Sequence, residues 1–221
     1  MKTTFLLCIF CFLGFPAVAQ VKVKWGLQAG FSVCRMASSG GDFDDIRTEQ
    51  HNVPGFHTGL VTDISLTRIL LLRTGLQVER RGFSYEINQS GIHYEAIYRP
   101  MYVQIPAIIA LTNGRLYAGA GPYAAYGLGG TYHSEWAGPS HLPLPEPQDR
   151  KIKWGDNAEA NDFQRLDAGL QLEAGLTVRR FRLSGAYVFG LANLQPHPDA
   201  AQVVKRNRIL ALSLSAFVSR P

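Results

Sequence analysis

Apolar and polar residues alternate with a period of two along most of this chain, which is the pattern of β-strands with one apolar and one polar face. In residues 21–32, every odd position is apolar and every even position carries lysine, glycine, glutamine or serine. Eight such runs are present, and two of them, 116–128 and 181–191, alternate less clearly because they are rich in glycine, alanine and tyrosine. The predicted strands lie within residues 21–32, 56–66, 70–81, 101–109, 116–128, 166–176, 181–191 and 210–216.

The connections between these runs are alternately long and short. Barrels that cross an outer membrane with strands of about 10 residues keep short turns at one end and longer loops at the other. The sequence therefore predicts an all-β fold: an eight-stranded antiparallel transmembrane β-barrel with short periplasmic turns and long extracellular loops. The short connections are 67–68, 112–115 and 179–180, and the long ones are 34–52, 85–96, 129–162 and 191–205.

Alternation alone leaves open which face points outward, because a soluble lipocalin-like barrel would bury its aliphatic face around a ligand. We favour the opposite orientation. The polar face carries many glycines and charges of both signs, which suits a narrow interior, and a soluble barrel has no reason to sort its loops by length. Aromatic residues also lie near both ends of the aliphatic faces, as in membrane girdles. They are Phe31, Phe56, Tyr126 and Tyr187 towards the long loops, and Trp25 and Phe181 towards the other end.

The polar face also predicts a filled interior. Eight strands enclose a space just wide enough for side chains, whereas open porins have about 16–18 strands. We interpret the charges as ion pairs that close the barrel, with Glu79 and Glu173 each facing an arginine, rather than as a selectivity filter. The predicted interior network comprises Arg73, Gln77, Glu79, Arg81, Gln171, Glu173 and Arg182.

The start of the chain has the pattern of a signal peptide. Lys2 precedes eleven apolar residues at 5–15, and the small residues at 17–19 precede Gln20. We predict that residues 1–19 are removed, that residues 20–221 form the barrel domain, and that the protein is exported to the bacterial outer membrane. An N-terminal anchor is the alternative, although a spanning helix needs about 20 apolar residues.

Charge and motifs argue against several functions. The net charge of +5 is spread along the chain, so we predict no nucleic-acid binding. No hydrolase elbow, zinc-protease motif or phosphate-binding loop is present, and Cys34 is the single cysteine outside the leader. We predict no catalytic residue, metal or cofactor, with a small lipid-modifying enzyme as the alternative. The isolated residues considered for catalysis are His57, Asp63, Ser84, His93, His133 and Ser134.

The segment 130–162 is the predicted binding surface, because about 2–5 residues suffice to close a hairpin. It carries two tryptophans and a proline-rich stretch that favours extended polyproline geometry. We name Trp136, Pro143, Pro145 and Trp154 as candidate contacts for an envelope or cell-surface protein. The alternative is that the tryptophans pack on the barrel rim.

Several short sequences, taken in order, resemble the outer-membrane β-barrel proteins abundant in Bacteroidota, known as porin-family or PorT-like proteins. The resemblance covers essentially all of residues 20–221. It implies an eight-stranded barrel surrounded by outer-membrane lipid, without shared catalytic residues. Two functions then remain: a structural or adhesive barrel whose loops bind partners, or a component of an envelope secretion machine. The matching sequences are WGLQAG at 25–30, GFHTGL at 55–60, YVQIP at 102–106, YAGAGPY at 117–123, LDAG at 166–169 and YVFGL at 187–191.

Overall fold

The computed structural model of the protein describes residues 22–39, 48–89, 91–139, 143–157, 159–196 and 204–218. Within these residues the chain forms nine β-strands, all paired antiparallel. The predicted leader lies outside the described residues. The strands are β1 (Lys22–Ser39), β2 (Thr48–Ser65), β3 (Leu70–Gln89), β4 (Ile92–Thr112), β5 (Leu116–Ala137), β6 (Gln148–Lys151), β7 (Leu166–Val178), β8 (Phe181–Gly190) and β9 (Val204–Val218).

Eight of these strands form a closed ring. Strands β1 to β5 pair in sequence order, β5 continues to β7, and the ring closes where β9 pairs with β1. The short strand β6 lies outside the ring and pairs with residues 131–134 of β5. The predicted eight-stranded antiparallel barrel is therefore confirmed.

The barrel is apolar on the outside and polar on the inside. Phe31, for example, has 77% of its surface exposed, whereas Arg81 is fully buried. Each large aliphatic or aromatic side chain gains about 1.5–3 kcal/mol on leaving water, so a continuous apolar outer surface requires lipid around it. The lipocalin-like alternative is wrong, because it places the aliphatic face inside. The outward side chains include Trp25, Leu27, Phe56, Leu60, Leu76, Ile105, Leu170, Leu172, Phe181, Leu183 and Leu212.

Several strands extend beyond the runs that alternation predicts. β3 and β4 stay paired as far as Gln89 and Ile92 and are joined by a tight turn in which Gly91 has a φ of 80°. The predicted long loop at 85–96 is therefore wrong. Outward positions above the membrane, such as Glu86 and Asn88, no longer face lipid and are polar, so the outer apolar pattern stops before the strand does.

Short turns close the other end of the barrel, where β1 begins and β9 ends. In the β4–β5 turn, the Asn113 side chain accepts hydrogen bonds from the amides of Arg115 and Leu116 at 3.1 and 2.8 Å, and Gly114 has a φ of 91°. These local bonds satisfy the backbone within four residues. In the described part of the chain, no helix has the length and apolar character needed to cross a membrane.

The interior has three apolar layers, with the polar network among them. The first is near the short turns, the second lies towards the long loops and the third lies at the mouth of the barrel. They consist of Leu71, Ile108, Ala110 and Tyr117; of Cys34, Tyr102, Tyr123, Ala125, Val188 and Ile209; and of Met36, Phe83, Ala96, Tyr132, Ile152, Phe163 and Leu194.

Candidate functional site

The upper half of the polar interior is organised around Arg81. Its guanidinium donates hydrogen bonds to the carboxylates of Glu79 and Asp167 and, at 2.9 Å, to the side-chain oxygen of Gln104. It also lies 4.2 Å from the centre of the Tyr102 ring. All sides of this buried charge are therefore compensated, which is the condition for a guanidinium to be tolerated in a medium of low dielectric constant.

A second group surrounds Arg73 one layer nearer the short turns. Arg73 forms an ion pair with Glu173 at 3.2 Å and donates hydrogen bonds to the Tyr117 hydroxyl at 2.8 Å and to the side-chain oxygen of Gln28 at 2.7 Å. The Tyr117 hydroxyl donates in turn to Glu173. Strands β1, β3, β5 and β7 are thus tied together across the barrel by one arginine.

A third pair closes the interior near the short turns. Arg182 lies 2.6 Å from an oxygen of Asp63 and stacks on two aromatic rings, with its guanidinium carbon 4.3 Å from the centre of Tyr117 and 4.8 Å from that of Phe217. Aromatic faces attract cations by their quadrupole, so these rings add to the ion pair.

All seven residues of the predicted interior network lie inside the barrel, and Glu79 and Glu173 each contact an arginine. Two acidic partners, Asp63 and Asp167, were not predicted as part of this network, and Asp63 was considered only for catalysis. The signal was present, because both occupy inward positions of the same alternation that identified the other residues. The further inward partners missed by sequence reasoning are Gln28, Gln104, Tyr117, Tyr123 and Asn207.

The space left among these side chains is small. A cavity of about 20 Å³, room for about one water molecule, lies between the two arginine groups. Its walls include Gln77, Glu79 and Glu173, together with His57, whose Nε2 lies 2.8 Å from the hydroxyl of Ser213. At this level the barrel is filled rather than open.

Beyond the barrel mouth, the extensions of β3, β4 and β5 carry aromatic side chains on their inner face. Trp136 packs on Tyr94 with ring centres 4.3 Å apart, and Tyr98 packs on Tyr132 at 4.7 Å. Phe83 stacks on Tyr98 at 5.2 Å with nearly parallel rings. This aromatic wall, Phe83, Tyr94, Tyr98, Tyr132 and Trp136, stiffens the part of the protein that lies above the membrane.

The chain between β6 and β7 folds back into the mouth of the barrel and forms a plug. Ile152 and Phe163 are buried there, and Trp154 contacts the Tyr102 ring edge-on at 5.3 Å between centres. A β-carbon on Gly127 would lie 2.5–2.7 Å from the Trp154 ring, so glycine at this position makes room for the indole. We call residues 150–157 and 159–164 the plug, which begins with the last two residues of β6.

A charged clamp fastens the plug. Both terminal nitrogens of Arg150 donate to Asp162, at 2.6 and 2.7 Å, and the guanidinium lies 4.1 Å from the centre of the Tyr132 ring. Partial burial would raise the pKa of Asp162, but the hydrogen bonds from Arg150 and from the Lys153 amide outweigh it, so the pKa lies below its usual value. The hydrogen bond to Asp162 raises the pKa of Arg150. The clamp is therefore charged at neutral pH.

The four candidate loop residues have different surroundings. Trp154 belongs to the plug and is largely enclosed, whereas Trp136 is a strand residue near the end of β5 and is 38% exposed. Pro143 and Pro145 are exposed in an irregular stretch that lies between β5 and β6. The predicted loop 129–162 is thus divided into a strand extension, an exposed proline stretch and the plug.

The residues considered for catalysis do not come together in the described part of the chain. His57 is buried beside Ser213 inside the barrel, His133 pairs with Asp149 at 2.8 Å at the surface, and Ser84 and Ser134 are buried in strands. Among the described residues, no group of three or more histidine, cysteine, aspartate or glutamate side chains is arranged to hold a metal ion.

A closed ring of eight strands with an apolar outer belt and paired charges inside defines a β-barrel of the bacterial outer membrane. The chain belongs to the outer membrane protein beta-barrel domain family, whose model matches residues 18–195.

Among solved structures, the chain is similar to Ail, the attachment invasion locus protein of Yersinia pestis, crystallised with the heparin analogue sucrose octasulfate. The two share 14% identity and a TM-score of 0.41, covering 89% of this chain and 99% of Ail. Neisserial surface protein A matches with 12% identity and a TM-score of 0.39, covering 88% and 98%. OprG from Pseudomonas aeruginosa matches with 14% identity and a TM-score of 0.29, covering 89% and 94%. No curated protein sequence matches the chain.

Proposed function

We propose that this protein is a non-enzymatic outer-membrane barrel that binds a protein partner of the envelope or cell surface through its long-loop end. The observation that carries the proposal is the contrast between the two parts of the molecule. The membrane part is filled by three ion-paired groups around a cavity of about 20 Å³. The part above it consists of long strand extensions that are packed together by aromatic rings and end in exposed tips.

The exposed proline stretch is the part that we propose binds the partner. Pro143, Pro145 and Pro147 are exposed and follow one another at alternate positions, which favours an extended polyproline conformation. Such a segment loses little entropy on binding and fits an aromatic-lined groove. Trp136, which is 38% exposed near the end of β5, supplies an apolar anchor just before the same connection.

The test replaces residues 143–147 with glycine and serine and leaves the plug and β5 intact. We expect a barrel that inserts and keeps its plug but no longer crosslinks to its partner in whole cells. The matched control replaces Asn157, Glu159 and Ala160, an exposed turn of the plug on the other side of the clamp, and should retain the partner. Equal crosslinking by the 143–147 variant and the wild type would contradict the proposal.

A component of an envelope secretion machine is the second candidate, supported by the resemblance to PorT-like proteins. The same crosslinking experiment separates the two by the identity of the captured protein. Capture of a subunit of a secretion complex supports the second candidate, whereas capture of a surface protein or an extracellular ligand supports the first.

A further inference from the structure

Two arginines lie directly opposite each other on the outer face of the barrel, near its long-loop end. Arg35 of β1 and Arg208 of β9 are partners in the strand register. Their neighbours in sequence, such as Met36 and Ile209, point into the barrel and are buried, so the two arginines point outward. Like charges in directly opposite positions destabilise a sheet unless an anion lies between them.

The guanidinium of Arg208 is held in a fixed orientation. It lies 3.6 Å from the centre of the Phe189 ring, and its Nη1 donates to the carbonyls of Gly190 and Asn207 at 2.7 and 2.9 Å. Both hydrogen bonds use the same nitrogen, so the other edge of the guanidinium faces away from the backbone. A stacked and bonded arginine loses little entropy when it binds a ligand.

A second arginine is held in the same way, by a backbone carbonyl and an aromatic ring, two strands further round the barrel. Arg165, just before β7, donates to the carbonyl of Gly127 at 3.1 Å and lies 5.7 Å from the centre of the Tyr126 ring. Tyr126 and Phe189 both face outward. Between these two seated arginines the outer surface is apolar and exposed, and is formed by Leu166, Ala168 and Leu191.

The positive charge of this surface has no counter-charge among the described residues. Arg35, Arg165 and Arg208 form no ion pair there, although arginines inside the barrel and in the plug are all paired with carboxylates. The apolar residues directly beside them are on the outer face that a barrel presents to the membrane, so lipid headgroups are the nearest source of an anion for these arginines.

We propose that Arg35, Arg165 and Arg208, with the rings of Tyr126 and Phe189, bind the phosphorylated headgroup of a glycolipid of the outer leaflet. The guanidinium fork matches two phosphate oxygens, which a lysine cannot do with equal geometry. The aromatic rings fix the arginines at the boundary between lipid and water, and the acyl chains lie on the apolar surface between them.

The test measures the Kd of purified lipopolysaccharide for the detergent-solubilised barrel by native mass spectrometry. The double variant Arg35→Gln/Arg208→Gln should raise this Kd about tenfold or more, because each lost charged hydrogen bond is worth at least that factor. Arg208→Lys should give an intermediate Kd because it keeps the charge and loses the fork. The matched control is Arg80→Gln, an outward arginine of β3 that lies two strands from Arg35, on the side away from Arg208 and Arg165, and stacks on no aromatic ring of the described residues. This variant should leave the Kd unchanged.

Three results would overturn the proposal. The first is a double variant that binds lipopolysaccharide with the wild-type Kd. The second is an equal rise of the Kd in Arg80→Gln, which would mean diffuse charge attraction. The third is a wild-type Kd for dephosphorylated lipopolysaccharide or for phosphatidylglycerol that equals the Kd for intact lipopolysaccharide. If Arg208→Gln does not insert, Arg35→Gln alone decides the question, because the described structure gives the Arg35 side chain no hydrogen bond. Heat-dependent mobility on gels checks the folding of every variant.

Discussion

At the scale of single residues, the membrane part of the barrel depends on charges that have no access to water. Each buried arginine meets at least one carboxylate, so the removal of one partner leaves a buried charge without compensation. Substitutions on the outer face remove no such partner, since lipid accepts any apolar side chain of similar size.

We expect Glu173→Ala to destabilise the barrel by about 3–5 kcal/mol, because Arg73 then loses its acidic partner and the Tyr117 hydroxyl loses its acceptor. Leu170→Ile, an outward substitution on the same strand, should cost less than about 1.5 kcal/mol. Urea unfolding of barrels inserted in lipid vesicles measures both. Equal free energies of unfolding for Glu173→Ala and the wild type would show that the network does not hold the barrel together.

At the scale of elements, the strands that cross the membrane can be predicted from the sequence, whereas the structure above the membrane cannot. The eight membrane strands follow from alternation, because their outward positions must be apolar. The extensions of β3 and β4 were predicted as a loop, because Glu86 and Asn88 face water and the aromatic residues face inward. The path of the plug could not be predicted, since Ile152, Trp154 and Phe163 follow no regular period and are positioned by contacts with distant strands. From the sequence, packing of the tryptophans on the barrel rim was only the alternative to partner binding, and Trp154 does pack in the barrel mouth.

The packing of Trp154 in the plug can be tested without changing a charged residue. Gly127→Ala should displace Trp154, because the added β-carbon would lie 2.5–2.7 Å from the indole ring. In a background that carries Trp25→Phe and Trp136→Phe, the fluorescence of Trp154 should shift to longer wavelength. Gly129→Ala is the matched control, because a β-carbon there meets no atom within 4 Å. Identical spectra for the two alanine variants would contradict the packing of Trp154 on Gly127.

The clamp makes the plug sensitive to acid. The pKa of Asp162 is lower in the folded protein than its ordinary value of 3.8, so the clamp contributes its full stability above about pH 4 and loses it as the pH falls through the lower folded pKa. Trp154 fluorescence should therefore report an opening of the plug below about pH 4. Asp162→Asn should abolish this transition, and Asp149→Asn, at an exposed site, should preserve it. A transition that persists in Asp162→Asn would assign it to another group.

At the scale of the whole molecule, a filled interior predicts poor conduction. Reconstituted in planar bilayers, the protein should give no stable open state, because open porins need about 16–18 strands to enclose a water-filled channel. Large and long-lived single-channel currents from the wild type would contradict the filled interior. The interior residues could be predicted from the sequence, unlike the loops. Their positions in the alternating pattern point them inward, and an eight-stranded barrel is so narrow that they can contact only one another.

The location of the protein gives a further prediction. After export, mass spectrometry should find Gln20 as the first residue, and the protein should fractionate with the outer membrane and migrate differently on gels before and after boiling. Folded barrels resist detergent until heated. A folded monomer recovered from the periplasm without detergent would contradict this expectation, as would a mature protein that retains residues 1–19.

The long hairpin of β3 and β4 sets the height at which a partner is met. On β4 the outward residues change from Met101 to Arg99, and we take this change as the upper limit of the lipid. Arg99 lies level with Gly82 of β3, because Arg80 pairs with Met101 and Phe83 pairs with Tyr98. From Gly82 to Gln89 the strand rises about 3.4 Å per residue, so the tip stands about 24 Å along the strand above that limit. A partner that contacts only the tip therefore touches no lipid and needs no membrane anchor of its own.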